Sequence, residues 1–105
     1  MIRLHHVAIS VNDYIGYKEL FLALGMHVER ETGNAPCRQL WFVEGIQLKE
    51  NKNELIGNNV EHIALGVDDS ETIIEKALLF GCVRCPDKEK WFELPNSVKV
   101  ELMEN

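Results

Sequence analysis

The chain has 105 residues, 46% hydrophobic and 27% charged, the proportions of an ordinary globular protein of one domain. A net charge of −6 and an isoelectric point near 5.1 speak against nucleic acid or an anionic membrane surface as partner, and leave a small-molecule substrate open. No apolar run approaches the roughly 20 residues that span a bilayer, and Met1-Ile2-Arg3-Leu4-His5 enters a strand pattern rather than a signal peptide, so the expected location is cytoplasmic.

Leu4 to Val11 alternates as a strand, with Val7, Ile9 and Val11 on one face and His6, Ala8 and Ser10 on the other. Asn12-Asp13 offers N-cap chemistry for a helix in which Ile15, Leu20, Phe21 and Leu24 follow helical spacing, Leu22 and Ala23 lie beside them, and Gly25 suits the end. Met26 to Glu31 reads as a second strand, followed by a Thr32-Gly33-Asn34 turn. Arg38 to Val43 and Ile46 to Glu50 are the third and fourth strands, joined through Glu44-Gly45. Polar residues 51–59 form a linker.

The same order then returns. Val60 to Val67 is a strand, and Asp68-Asp69-Ser70 caps a helix from about Glu71 to Phe80 with Ile73, Ile74, Ala77 and Leu78 as its apolar stripe. Val83 to Cys85, Lys90 to Glu93 and Val98 to Met103 are strands, with Pro95-Asn96-Ser97 turning before the last. The expected class is α+β: two tandem βαβββ modules, about residues 3–50 and 60–104, within one domain covering 1–105.

The repeat is visible residue by residue. His6-Val7-Ala8-Ile9-Ser10-Val11-Asn12-Asp13 is echoed by His62-Ile63-Ala64-Leu65-Gly66-Val67-Asp68-Asp69, 56 residues later, and Ile46-Gln47-Leu48-Lys49-Glu50-Asn51 by Val100-Glu101-Leu102-Met103-Glu104-Asn105, 54 later. Self-similarity of this kind reports architecture directly. The faces opposite the apolar stripes carry His6, His62, Gln47 and Glu101, with small residues beside the histidines. Two imidazoles, an amide oxygen and a carboxylate form a donor set suited to a divalent ion with open positions for water or substrate. His5 and His27 have no echo and read as structural or rim residues.

Cys82-Val83-Arg84-Cys85 has the spelling of a redox or zinc motif. On a strand, positions i and i+3 point to opposite faces, so the sulfurs would not converge. With Cys37, the three cysteines form an odd set that gives no disulfide framework.

The double βαβββ pattern with His6, Gln47, His62 and Glu101 in place resembles the vicinal oxygen chelate superfamily, over roughly Leu4 to Glu104. Leu24-Gly25-Met26 resembles the end of that family's first helix. Pro95-Asn96-Ser97-Val98-Lys99-Val100-Glu101-Leu102 resembles its Asp-Pro-Asp-Gly turn and Ile-Glu-Leu strand, with Leu94 and Ser97 departing from the usual Asp and Gly. The resemblance implies a cupped, partly open β-barrel, with a divalent metal ion (Zn, Ni, Co, Mn or Fe) held inside by His6, Gln47, His62 and Glu101, and a homodimer. It covers glyoxalase I, methylmalonyl-CoA epimerases, extradiol dioxygenases and bleomycin-binding proteins. Four donors argue against the last group, whose cup lacks a metal. The dioxygenases resemble a two-His, one-carboxylate set on usually longer chains.

Within that family the first expectation is a glyoxalase I-like lyase/isomerase acting through a metal-stabilised enediolate, with Glu101 as ligand and catalytic base. An amide has no useful basicity, so Gln47 cannot be a base, and a two-base epimerase would need another group, with Glu44, Glu50 and Glu93 available by composition. The alternatives are an epimerase-like racemase, or a non-catalytic binding protein whose cup is lined by one of Trp41/Phe42 and one of Trp91/Phe92.

Overall fold

The computed structural model describes residues 1–52 and 59–105; of the expected linker 51–59, residues 53–58 lie outside the described residues. The elements are β1 (Arg3–Val11), α1 (Tyr14–Ala23), β2 (Val28–Thr32), β3 (Gln39–Phe42), β4 (Ile46–Glu50), β5 (Val60–Val67), α2 (Ser70–Leu78), β6 (Val83–Arg84), β7 (Trp91–Glu93) and β8 (Lys99–Glu104). This is an α+β chain of two βαβββ modules. It divides into two compact units, Val7–Glu61 and a second formed by Met1–His6 with His62–Asn105, so that β1 contributes to both.

In the first unit the strand order is β2-β3-β4-β1, with β4 parallel to β1 and antiparallel to β3. In the second it is β5-β8-β7-β6, with β8 parallel to β5 and antiparallel to β7. The parallel pairs share one register: Val7 faces Ile46 and Val11 faces Glu50, as Ile63 faces Val100 and Val67 faces Glu104. The two-residue difference in repeat spacing is therefore absorbed between the paired strands, and the phase of the ladder is untouched.

Both helices start on an aspartate whose carboxylate accepts a backbone N–H three residues on, Gly16 for Asp13 and Thr72 for Asp69. Both end on a glycine at positive φ, Gly25 at 102° and Gly81 at 88°. Met26 N–H then reaches back to Phe21 and Cys82 N–H to Ala77, the six-to-one bond of a Schellman ending.

Each helix covers one sheet face. Val11, Tyr14, Leu40, Phe42 and Leu48 make the first core, with Ile9, Tyr17, Phe21, Met26 and Ile46 packed on it. Val67, Ile74, Phe92, Val100 and Leu102 make the second, with Ile63, Leu65 and Ile73 packed on it. The stripe expected on α1 is corrected here: Tyr14, Tyr17 and Phe21, spaced i, i+3, i+7, face the sheet, and Ile15, Leu20, Leu22 and Leu24 are exposed. The helix is apolar nearly all round, so spacing alone could not choose its buried face. On α2, Ile73, Ile74 and Ala77 pack on the core, and the expectation for Leu78 is corrected: it is exposed at the helix end.

Candidate metal centre

Strand phase decides which side chains meet. Ile63, Leu65 and Val67 enter the second core, which turns His62 and Ala64 to the opposite face of β5. Val100 and Leu102 do the same in β8 and turn Glu101 away from the core. Glu101 stands opposite Ala64 on one side and Trp91 on the other. His62, which pairs with Lys99, is its diagonal neighbour, within reach of a long side chain. Ala64 offers only a methyl group, so the carboxylate can lie back towards His62.

The result is a convergence of three donors, His6, His62 and Glu101. The Nε2 atoms of His6 and His62 are 3.3 Å apart, and Glu101 Oε1 lies 3.7 Å from the first and 3.5 Å from the second. The circumcentre of a triangle with sides 3.3, 3.5 and 3.7 Å lies about 2.0 Å from each corner, within the range of zinc bonds to imidazole nitrogen and carboxylate oxygen. Both histidines are buried, whereas the Glu101 side chain is 28% exposed, so the trio has one open side.

The electrostatics suit the same use. Burial pushes His6 below the ordinary imidazole range, against the charge of Glu101, and its neighbours His62 and His5 add to the lowering. Glu101 is held below the usual carboxylate range, first by its hydrogen bond with His62, against the effect of burial. A neutral imidazole and an ionised carboxylate are the ligating forms. The ring of Trp91 meets His62 edge-on with centroids 4.7 Å apart, and Lys88 Nζ lies 4.1 Å from the centre of the Trp91 ring. On the sequence, Trp91 and Phe92 were interchangeable; Phe92 is in the core and Trp91 supports the histidine.

Neither a protein-family model nor a curated protein sequence matches the chain. Solved structures do. A hypothetical protein from Bacillus halodurans C-125 matches 99% of this chain and 94% of its own at 20% identity, with a TM-score of 0.73. Methylmalonyl-CoA epimerase of Streptomyces coelicolor, in complex with 2-nitronate-propionyl-CoA, matches 98% of this chain and 96% of its own at 22% identity, with a TM-score of 0.69. The catechol dioxygenase BphC matches 97% of this chain and 40% of its own at 13% identity, with a TM-score of 0.69.

The chain shares the fold of these solved structures, as the resemblance to the vicinal oxygen chelate superfamily implies.

Within this fold, Gln47 occupies the first-module position that Glu101 holds in the second. It stands between Ala8 and Trp41 as Glu101 stands between Ala64 and Trp91. It is buried in the other compact unit, and its amide donates to Gln39 Oε1 at 2.9 Å. Ala8 and Ala64, the small residues two positions after the histidines, are both fully buried.

Two of the other carboxylates weighed from composition, Glu44 and Glu50, are engaged elsewhere. Glu44 accepts from the backbone N–H of His27 and contacts its Nδ1 at 2.8 Å, which makes His27 a surface partner. Glu50 is buried against Arg38 and pulled down to about 2 by that guanidinium. Glu93 is different: its backbone pairs with Val83 and Lys99, and it shares with Trp91 the face of β7 that lies beside Glu101. Cys82 packs on the second core, and Cys37, Cys82 and Cys85 are all free thiols. Ser97 takes φ 74°, the left-handed region, at the turn position where the resembling motif has glycine.

Two contributors were not legible as site residues: Trp91, for want of a choice between faces, and His5, whose Nδ1 lies 2.9 Å from His6 Nδ1. Only adjacency to His6 could have pointed to His5.

Proposed function

We propose that this chain is a divalent-metal-dependent isomerase that binds two neighbouring oxygens of a small substrate and moves a proton on the carbon beside a carbonyl. The observation that carries this reading is the convergence of two buried imidazoles and one part-exposed carboxylate on a single point. A divalent ion held by His6, His62 and Glu101 supplies Lewis-acid stabilisation of the charge that develops on the substrate oxygens; zinc, nickel, cobalt, manganese and iron all suit such donors.

His6 and His62 hold position, being buried and wedged against each other. Glu101 takes the proton and returns it, since it is the one ionised oxygen base of the trio and has an exposed edge on which substrate can approach. Gln47, whose amide has no useful basicity, is not a base.

A single base that removes a proton and returns it to the neighbouring carbon is the glyoxalase I-type lyase/isomerase reaction, and this is the form we put first. The second form is epimerase-like, favoured by the fold match that spans 96% of the Streptomyces epimerase. It needs another base; Glu44 and Glu50 are engaged, which leaves Glu93, on the Trp91 face of β7, as the candidate. The same reading makes the protein a homodimer, supported by the exposed apolar residues Ile15, Leu20 and Leu22 on α1 and Leu24 at its end, and places it in the cytoplasm, supported by its odd set of cysteines.

The test is turnover by metal-loaded protein of a thiol–ketoaldehyde adduct, alongside deuterium exchange at the central carbon of a methylmalonyl thioester. Isomerisation of the adduct, lost by about 100-fold or more in E101Q, supports the first form. Exchange without adduct turnover moves the assignment to the epimerase form. Binding of either compound with neither reaction makes the protein a binding module and overturns the proposal.

A further inference from the structure

His5 is exposed and lies beside His6 on β1, yet the two rings are not independent. Their Nδ1 atoms are 2.9 Å apart, with ring centroids at 5.1 Å and planes at 76°. Two imidazole nitrogens at that distance share one proton, so one donates and the other accepts. On its far side, His6 Nε2 faces the trio, 3.3 Å from His62 Nε2 and 3.7 Å from Glu101 Oε1.

A neutral imidazole carries its proton on one nitrogen only. For Nε2 of His6 to offer a lone pair to an ion, the proton must sit on Nδ1 and must have an acceptor there. His5 Nδ1 is that acceptor, and this puts the proton of His5 on its Nε2. We infer that His5 is a positioning residue for the metal site: by accepting from His6 Nδ1–H it holds His6 in the tautomer whose Nε2 lone pair points at Glu101 and His62. This inference rests on the metal-site reading. Where metal-binding histidines commonly donate to a carboxylate or a backbone carbonyl, this chain uses a second imidazole from the adjacent residue.

The test uses two variants and two readouts. H5L removes the acceptor at an exposed position. H5N restores it, because the amide Oδ1 is the same number of bonds from Cα as the imidazole Nδ1. The first readout is the two-bond 1H–15N spectrum of metal-free, 15N-labelled protein. The wild type and H5N should show His6 protonated on Nδ1, and H5L should show the proton transferred wholly or partly to Nε2. A wild-type His6 protonated on Nε2, or no change in H5L, overturns the inference.

The second readout is Co²⁺ affinity by chelator competition at fixed pH. H5L should bind about 10–100-fold more weakly than wild type, and H5N should return to within about three-fold. H5L binding as tightly as wild type, or H5N as weakly as H5L, overturns it. A wild type that binds no Co²⁺ removes the metal-site reading instead, and the spectrum of the metal-free protein then decides the His5 inference alone.

Discussion

Glu50 ends β4 at the repeat position of Glu104, with its carboxylate fully buried. It accepts from Arg38 Nε and Nη2, both at 2.8 Å, and from the Arg38 backbone N–H at 3.1 Å, while the guanidinium lies 4.5 Å above the ring of Tyr14. In E50Q one oxygen becomes an amide NH₂ facing the guanidinium, so at least one charge-assisted hydrogen bond is lost, about 1.5–3 kcal/mol. Removing one partner of a fully buried pair costs about 3–5 kcal/mol. Arg38 is 27% exposed and can regain some water, so the expected cost is about 2–3 kcal/mol. For a chain of this size that is a fall in Tm of about 8–20 °C.

Urea unfolding followed by circular dichroism at pH 7 reads this directly, as a lower midpoint with an unchanged slope. The pH dependence carries the sign. Arg38 holds the Glu50 carboxyl at about 2, below its ordinary 4.5, so its contribution is complete above pH 4.5 and is lost as pH falls towards 2. The gap between wild type and E50Q should therefore narrow below pH 4.5. A gap under about 0.5 kcal/mol at pH 7, the scatter of an ordinary surface substitution, or one that widens in acid, refutes the reasoning.

Three further outcomes follow from particular residues. S97G should raise stability by about 0.5–1 kcal/mol in urea unfolding, because Ser97 at φ 74° carries a left-handed cost that glycine avoids; a lower midpoint would contradict this. I74A should cost about 2–5 kcal/mol, since Ile74 is fully buried, whereas I15A, 46% exposed on α1, should cost under about 1 kcal/mol; equal costs would show that the buried face of α1 is misassigned. Sedimentation equilibrium should give twice the 12.1 kDa chain mass, and a monomer mass would remove the homodimer.

The tandem repeat was legible because both modules keep one strand phase: Val7, Ile9 and Val11, like Ile63, Leu65 and Val67, alternate strictly, and this phase puts His6 and His62 on equivalent faces. The capping aspartates and Gly25 and Gly81 were readable because each does a backbone task few residues can do. The buried face of α1 was not readable, since Tyr14, Tyr17 and Phe21 compete with leucines of similar hydrophobicity and only the sheet decides. Glu50 and Glu104 were visible as an echo, but their roles were not, because their partners Arg38, Ser70 and Lys90 come from 12 to 34 residues away. His5 was passed over for want of an echo, although a tautomer partner needs to occur only once.

Metal stoichiometry tests the central claim most directly. Protein stripped with chelator, dialysed against Zn²⁺ or Co²⁺ and analysed for bound metal should hold one ion per chain, and H6A, H62A and E101A should each lower the affinity by at least about 10-fold. No bound ion above background, or the same stoichiometry and affinity in all three variants, would contradict it.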